Sequence, residues 1–148
     1  MDGIHEPPSI GAAPVLEGQV SCRCCGKGDI SKTLRYAIHK LMLMVGSLHV
    51  TSGYRCPAHN AEVEGASKNS QHMLGNALDI YSETLSPAEL ALAAQEVDEF
   101  RNGGIGCYPD RGFVHVDVRA GKARWGWIGS ATDGHKVTFL EALRHVGA

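Results

Sequence analysis

The chain lacks a surplus of positive charge. Its 14 lysines and arginines stand against 16 aspartates and glutamates, for a formal net charge of -2. A nucleic-acid binder normally shows a basic excess, so that class is excluded as a first reading. A bilayer-spanning run, which takes about 20 apolar residues, is also missing. The stretch that comes nearest, Leu41 to Val45, is bounded by Lys40 and Gly46. There is no internal repeat and no low-complexity tract. The first residues, MDGIHEPPSIGAAP, have neither the basic start nor the apolar stretch of a secretory signal.

A regular disulfide framework is missing too. The five cysteines, Cys22, Cys24, Cys25, Cys56 and Cys107, are odd in number and accompany no signal peptide. The dense run Cys22-Arg23-Cys24-Cys25 is not the spaced CxxC…CxxC pattern of a strong zinc motif, and a metal site there would need Cys56 or Cys107 as well. Free or buried thiols in a reducing compartment are the expectation.

What is present describes one globular domain. The chain has 148 residues with 43% apolar content, enough for a hydrophobic core. Residues 1–18, with Pro7, Pro8 and Pro14, read as a flexible arm, and 19–148 as a single domain. Leu34, Ala37, Ile38, Leu41 and Met42 recur at three- and four-residue steps and predict a helix over 30–45, with Ser31 as cap and Gly46 as stop. Ser86-Pro87-Ala88-Glu89 predicts a second helix start, running to about Phe100. A third helix is expected over 136–146, and a short one from Pro57. Strands are expected over 47–52, 76–81, 105–108 and 113–119, the last two joined at Pro109-Asp110-Arg111-Gly112. This order predicts an α+β fold with a small, mainly antiparallel sheet and flanking helices.

The chemistry concentrates in two segments. His72 and Asp79 offer nitrogen and oxygen donors seven residues apart. A straight strand would separate them by roughly 23 Å, so one metal requires the chain to turn between them, and Gly75 is the place. In Phe113-Val114-His115-Val116-Asp117, alternation puts His115 and Asp117 on one face and the valines on the other. A polar pair on an otherwise apolar strand fits metal binding.

These motifs resemble a family. Ser70-x-His72-x-x-Gly75-x-Ala77-x-Asp79, then His115-x-Asp117, is similar to the signature of the zinc D-alanyl-D-alanine carboxypeptidases and related phage endopeptidases. That group also holds lysostaphin-type enzymes and the hedgehog signalling domain. Thr51-Ser52-Gly53-Tyr54-Arg55-Cys56-Pro57-x-His59-Asn60 is similar to the segment before the metal motif, and the likeness runs roughly from Cys22 to Trp127. It implies a hedgehog/D-Ala-D-Ala peptidase-like fold, with Zn2+ on His72, Asp79 and His115. Arg55 then binds a substrate carboxylate, and Ser70 contacts substrate or orients His72. The implied activity is hydrolysis of peptidoglycan stem peptides by a monomer, as carboxypeptidase or endopeptidase. Delivery to the wall would follow lysis, another export route or carriage on a virion.

One departure stands out. Relatives place an acidic residue or histidine two or three residues before the last ligand as general base, whereas here those positions are Phe113 and Gly112. Asp117 is the first candidate for the base and Asp110 the second; Asp117 as an orienting partner of His115 is the alternative. The missing base keeps two other readings open: a non-catalytic zinc module that binds the cell wall, and a phage structural component. Trp125 and Trp127 are read as cleft-lining or core, at least one of them core.

Overall fold

A computed structural model describes residues 13–63 and 70–145. The first helix forms as α1, Lys32–Val45, with the Ser31 side chain accepting from the Leu34 N–H. Its predicted stripe of Leu34, Ala37, Ile38, Leu41 and Met42 is the buried face. The short helix α2 is Pro57–Glu62, capped by Cys56.

The Ser86 capping box is complete: Ser86 Oγ accepts from the Glu89 N–H, and Glu89 Oε1 from the Ser86 N–H. The helix it starts does not reach Phe100. It stops as α3, Pro87–Ala94, and restarts as α4, Asp98–Arg101. Val97, in extended backbone, makes the break. The break carries Val97 and Phe100 into the core, and burying such side chains contributes about 1.5–3 kcal/mol each. The Glu96 and Val97 N–H groups still bond three residues back, so little hydrogen bonding is lost. The last helix is also shorter than expected. Lys136 lies in a strand, and α5 covers Phe139–Arg144 behind a Thr138/Glu141 capping box.

The sheet is mixed and larger than the sequence suggests. Its strands are β1 Leu16–Glu17, β2 Leu48–Ser52, β3 Ala77–Tyr81, β4 Gly104–Tyr108, β5 Phe113–Asp117, β6 Ala123–Ile128 and β7 His135–Val137. They lie in the order β1-β2-β3-β5-β4-β6-β7. The pairs β2/β3, β3/β5, β5/β4 and β6/β7 are antiparallel, while β1/β2 and β4/β6 are parallel. The fold is therefore α+β around a mixed seven-stranded sheet. β1, β6 and β7 are not legible in the sequence, because two or three residues carry no period and Ala-Arg-Trp-Gly-Trp-Ile does not alternate. Residues 1–12 of the expected arm lie outside the described residues; at its end, Leu16 and Glu17 pair with Leu48 and His49.

The two faces of the sheet differ. Leu48, Val50, Leu78, Ile80, Ile105, Cys107, Val114 and Val116 point to one side and join α1, α3, Phe100 and Ala142 of α5 in a single core. The opposite face, at the middle of the sheet, carries the polar side chains.

Candidate functional site

On β3 and β5, Asp79 stands directly opposite His115, and Ala77 opposite Asp117. Continuing across the sheet, Gly106 of β4 faces His115, and Trp125 of β6 faces Gly106. One row of the sheet thus reads Asp79, His115, Gly106, Trp125. A Cβ on Gly106 would sit 2.4 Å from the Trp125 indole. Its absence lets that ring lean over to His115, with centroids 4.9 Å apart.

His72 reaches the same point from a 3-10 turn, Gln71–Leu74. Gly75 ends that turn at φ 71°, a left-handed conformation, at the place where the spacing required the chain to turn. The reversal sends the chain into β3 and returns Asp79 to within 3.3 Å of His72 Nε2. Asp79 Oδ1 is also 3.1 Å from His115 Nδ1. The three donor atoms of His72, Asp79 and His115 all lie within 4.8 Å of one another.

Hydrogen bonds on the far side of each imidazole set its tautomer. His72 Nδ1 lies 2.8 Å from the Gly53 carbonyl, which only accepts, so Nδ1 carries a proton and Nε2 is the ring atom turned to Asp79. That Nε2 is buried and has no hydrogen-bond partner. His115 Nε2 donates to Asp117 Oδ2 at 2.6 Å, which leaves Nδ1 as the atom aimed at the cluster. A tetrahedral zinc with bonds of about 2.0–2.1 Å spaces its ligand atoms by roughly 3.3 Å. The orphaned His72 nitrogen and the two short approaches to Asp79 fit such an ion.

Asp117 lies behind His115, not beside Asp79. It is fully buried, and Arg119 grips it with Nε on Oδ1 at 2.9 Å and Nη2 on Oδ2 at 2.7 Å. The Gly104 and Arg119 N–H groups add bonds to Oδ1. Gly104 is needed for this nest, because a Cβ there would fall 2.3 Å from Asp117 Oδ2. Burial works to raise the Asp117 carboxyl, but His115 and Arg119 outweigh it and hold the acid below the usual carboxylate range. Asp79 behaves alike: burial opposes, His72 and His115 prevail, and the carboxyl stays low. For His115, burial disfavours the charged ring, yet Asp117 and Asp79 draw its affinity for protons upward.

Arg55 is buried beside this cluster. Its Nη2 donates to Ser70 Oγ at 3.4 Å, while its Nε has no partner. No carboxylate among the described residues forms an ion pair with it. Burial lowers its pKa, and the Asp79 charge felt at the guanidinium works against that shift. Ser70 Oγ also accepts from the His72 N–H, which ties Arg55 and His72 to one hydroxyl.

Tyr108 is a site residue that the sequence motifs do not mark. Its hydroxyl accepts from Trp125 Nε1 at 2.8 Å. Burial raises its pKa against that bond, and the charges of Asp79 and Arg55 are felt at the ring. The signal that would have found it is the alternation Gly104-x-Gly106-x-Tyr108, two gaps and a phenol on the polar face. Trp125 lies over His115, whereas Trp127 Nε1 donates to the Ser130 carbonyl and stays half-exposed, so neither indole is core. Asp110 is not part of the cluster; its carboxylate accepts from the Gly129 N–H and pairs with His145 Nε2 at 3.0 Å.

Residues 30–125 match the family model described as peptidoglycan L,D-endopeptidase MepK. The chain is 35% identical over 82 residues to the probable peptidoglycan L,D-endopeptidase MepK of Haemophilus influenzae, covering 53% of this chain and 42% of that protein. It is 33% identical over 88 residues to the peptidoglycan L,D-endopeptidase MepK of Escherichia coli K12, covering 55% of this chain and 47% of that protein. The matches thus span less than half the length of these relatives. No solved structure gives a significant match.

Proposed function

The chain belongs to the family of the peptidoglycan L,D-endopeptidase MepK, and from that premise we propose that it hydrolyses peptide bonds in peptidoglycan stem peptides at a zinc site made by His72, Asp79 and His115. The observation that carries this reading is Arg55. A buried guanidinium with an unpartnered Nε, beside three converging metal-type donors, is matched to a ligand that brings its own carboxylate. Stem peptides carry free carboxylates. The names of the relatives favour an endopeptidase cut over removal of a terminal residue.

Zinc held by three protein ligands supplies Lewis acidity and lowers the pKa of water to about 7. The chain's own groups do the rest. Arg55 anchors the substrate carboxylate and so fixes the scissile carbonyl relative to the ligand triad. Ser70 holds Arg55 and the His72 backbone in register. Asp117 is assigned to orienting His115, because it reaches the ring nitrogen that faces away from Asp79 and is saturated by Arg119. Tyr108, which accepts from Trp125, keeps its own O–H to donate to substrate. The substrate lies outside the cytoplasm, so this reading requires release at lysis, export or carriage on a virion.

The test is mass spectrometry of digests of purified cross-linked muropeptides, with chelated and zinc-restored protein. Zinc-dependent cleavage inside the stem is expected, with a raised KM for Arg55→Gln. A His115→Ala protein that cleaves at the wild-type rate, or zinc-loaded wild type that binds muropeptides without cutting them, would overturn the reading.

A further inference from the structure

Cys22, Cys24 and Cys25 precede the segment matched to the family. Folding brings Cys56, more than thirty residues later, to the same place. The four sulphurs lie within 4.8 Å of one another. Cys22 Sγ is 3.4 Å from Cys24 Sγ, and Cys24 Sγ is 3.3 Å from Cys56 Sγ. These gaps far exceed a disulfide bond of about 2.05 Å, and all four cysteines are free. A disulfide would pair sulphurs two by two, whereas Cys24 approaches two neighbours at once and Cys25 completes the group. A tetrahedral zinc with bonds of about 2.3 Å spaces its sulphurs by roughly 3.8 Å, within the span found here.

We propose that Cys22, Cys24, Cys25 and Cys56 form a second zinc site, structural in type and separate from His72, Asp79 and His115. The surroundings are built for thiolates. The Cys56 N–H donates to Cys22 Sγ and the His59 N–H to Cys56 Sγ, each at 3.4 Å. His59 Nδ1 lies 3.4 Å from Cys22 Sγ, within reach to donate to a thiolate in the tautomer protonated there. N–H groups aimed at sulphur stabilise its charged form, as outer partners of metal thiolates do. Cys22 and Cys25 have the two-residue gap common in zinc sites. Their turn is closed by Gly26 N–H to Cys22 O at 2.7 Å and Cys22 N–H to Lys27 O at 2.8 Å. Four thiolates select a soft or borderline ion and fill a tetrahedron, leaving no position for water. Cys107 is excluded, since it is buried in the core.

The site has a mechanical consequence. Cys56 caps α2 and follows Arg55 directly. The Tyr54 N–H already bonds the Val20 carbonyl at 2.8 Å, and the Gly53 carbonyl holds His72. A metal on the four sulphurs clips the Val20–Gly26 segment to the stretch that positions both Arg55 and His72.

Zinc per chain, measured on full-length protein by plasma mass spectrometry after exhaustive dialysis, tests this. Two equivalents are expected in the wild type, and one each in His72→Ala, Cys24→Ser and Cys56→Ser. Cobalt-loaded His72→Ala should show a thiolate-to-cobalt charge-transfer band that Cys24→Ser abolishes. Should the cysteine variants not fold, a mercurial titration of His72→Ala should release one zinc as four thiols react. A wild type with one zinc that His72→Ala loses overturns the proposal. So do an intact mass low by two hydrogens that a reductant restores, and iron in place of zinc. One zinc kept in His72→Ala and lost in Cys56→Ser supports this site while sinking the proposed catalytic one.

Discussion

His115 is held from both ends: Nδ1 turns to Asp79 and Nε2 to Asp117. The two carboxylates sit on opposite sides of one ring. The sequence placed His115 and Asp117 on one strand face, which is correct, but alternation alone does not tell a neighbour in the cleft from a neighbour behind the ligand. Arg119 and the Gly104 N–H occupy the Asp117 carboxylate, which favours the orienting place over the cleft. Asp117→Asn should therefore lower zinc affinity and kcat/KM together, by about 10–100-fold, the usual cost of losing such an orienting partner. Competition with a chromophoric chelator measures the first; an unchanged affinity with a collapsed kcat would instead return Asp117 to proton transfer.

At the level of elements, the turn between His72 and Asp79 governs the site. Gly75 combines a φ of 71° with a Cβ position 2.7 Å from the Asp29 carbonyl. An alanine there meets both the backbone penalty, about 1–3 kcal/mol, and a clash with that peptide oxygen, in a segment already tied to Gly75 by the Ser31 N–H to Gly75 O bond of 2.7 Å. Gly75→Ala should lower the urea midpoint by a corresponding amount and weaken zinc binding more than Ser86→Ala, a cap substitution worth about 1 kcal/mol on a helix outside the proposed zinc site. Equal zinc affinity in the two variants would contradict the role given to the turn. This element was legible in the sequence because two metal donors seven apart cannot meet along a strand. The break at Val97 was not, because local pattern carries no information about which core Phe100 must reach.

Across the whole molecule, Asp110 joins three distant segments. It sits in the β4–β5 turn and accepts from Gly129 after β6, while its other oxygen pairs with His145 after α5. The Gly129 N–H lowers its pKa most; burial opposes this and His145 adds to it. A carboxyl held below its unfolded value, about 3.9, adds stability at pH above that value and loses it as pH falls through the folded value. The Tm gap between wild type and Asp110→Asn should thus be greatest near neutral pH and close in acid. A gap that widened on acidification would show that the carboxylate is not what ties these segments.

The donor types, the need for a turn at Gly75, the shared face of His115 and Asp117 and the α1 stripe were all determined by the sequence itself, because each follows from backbone geometry over a few residues. The tertiary structure alone decided what lies between strands. It set Asp79 opposite His115, opened space at Gly104 and Gly106 for Asp117 and Trp125, and buried Arg55 without a carboxylate among the described residues. It also brought Cys56 to Cys22, Cys24 and Cys25. Those relations depend on register and packing between segments far apart in the chain, which no local period encodes.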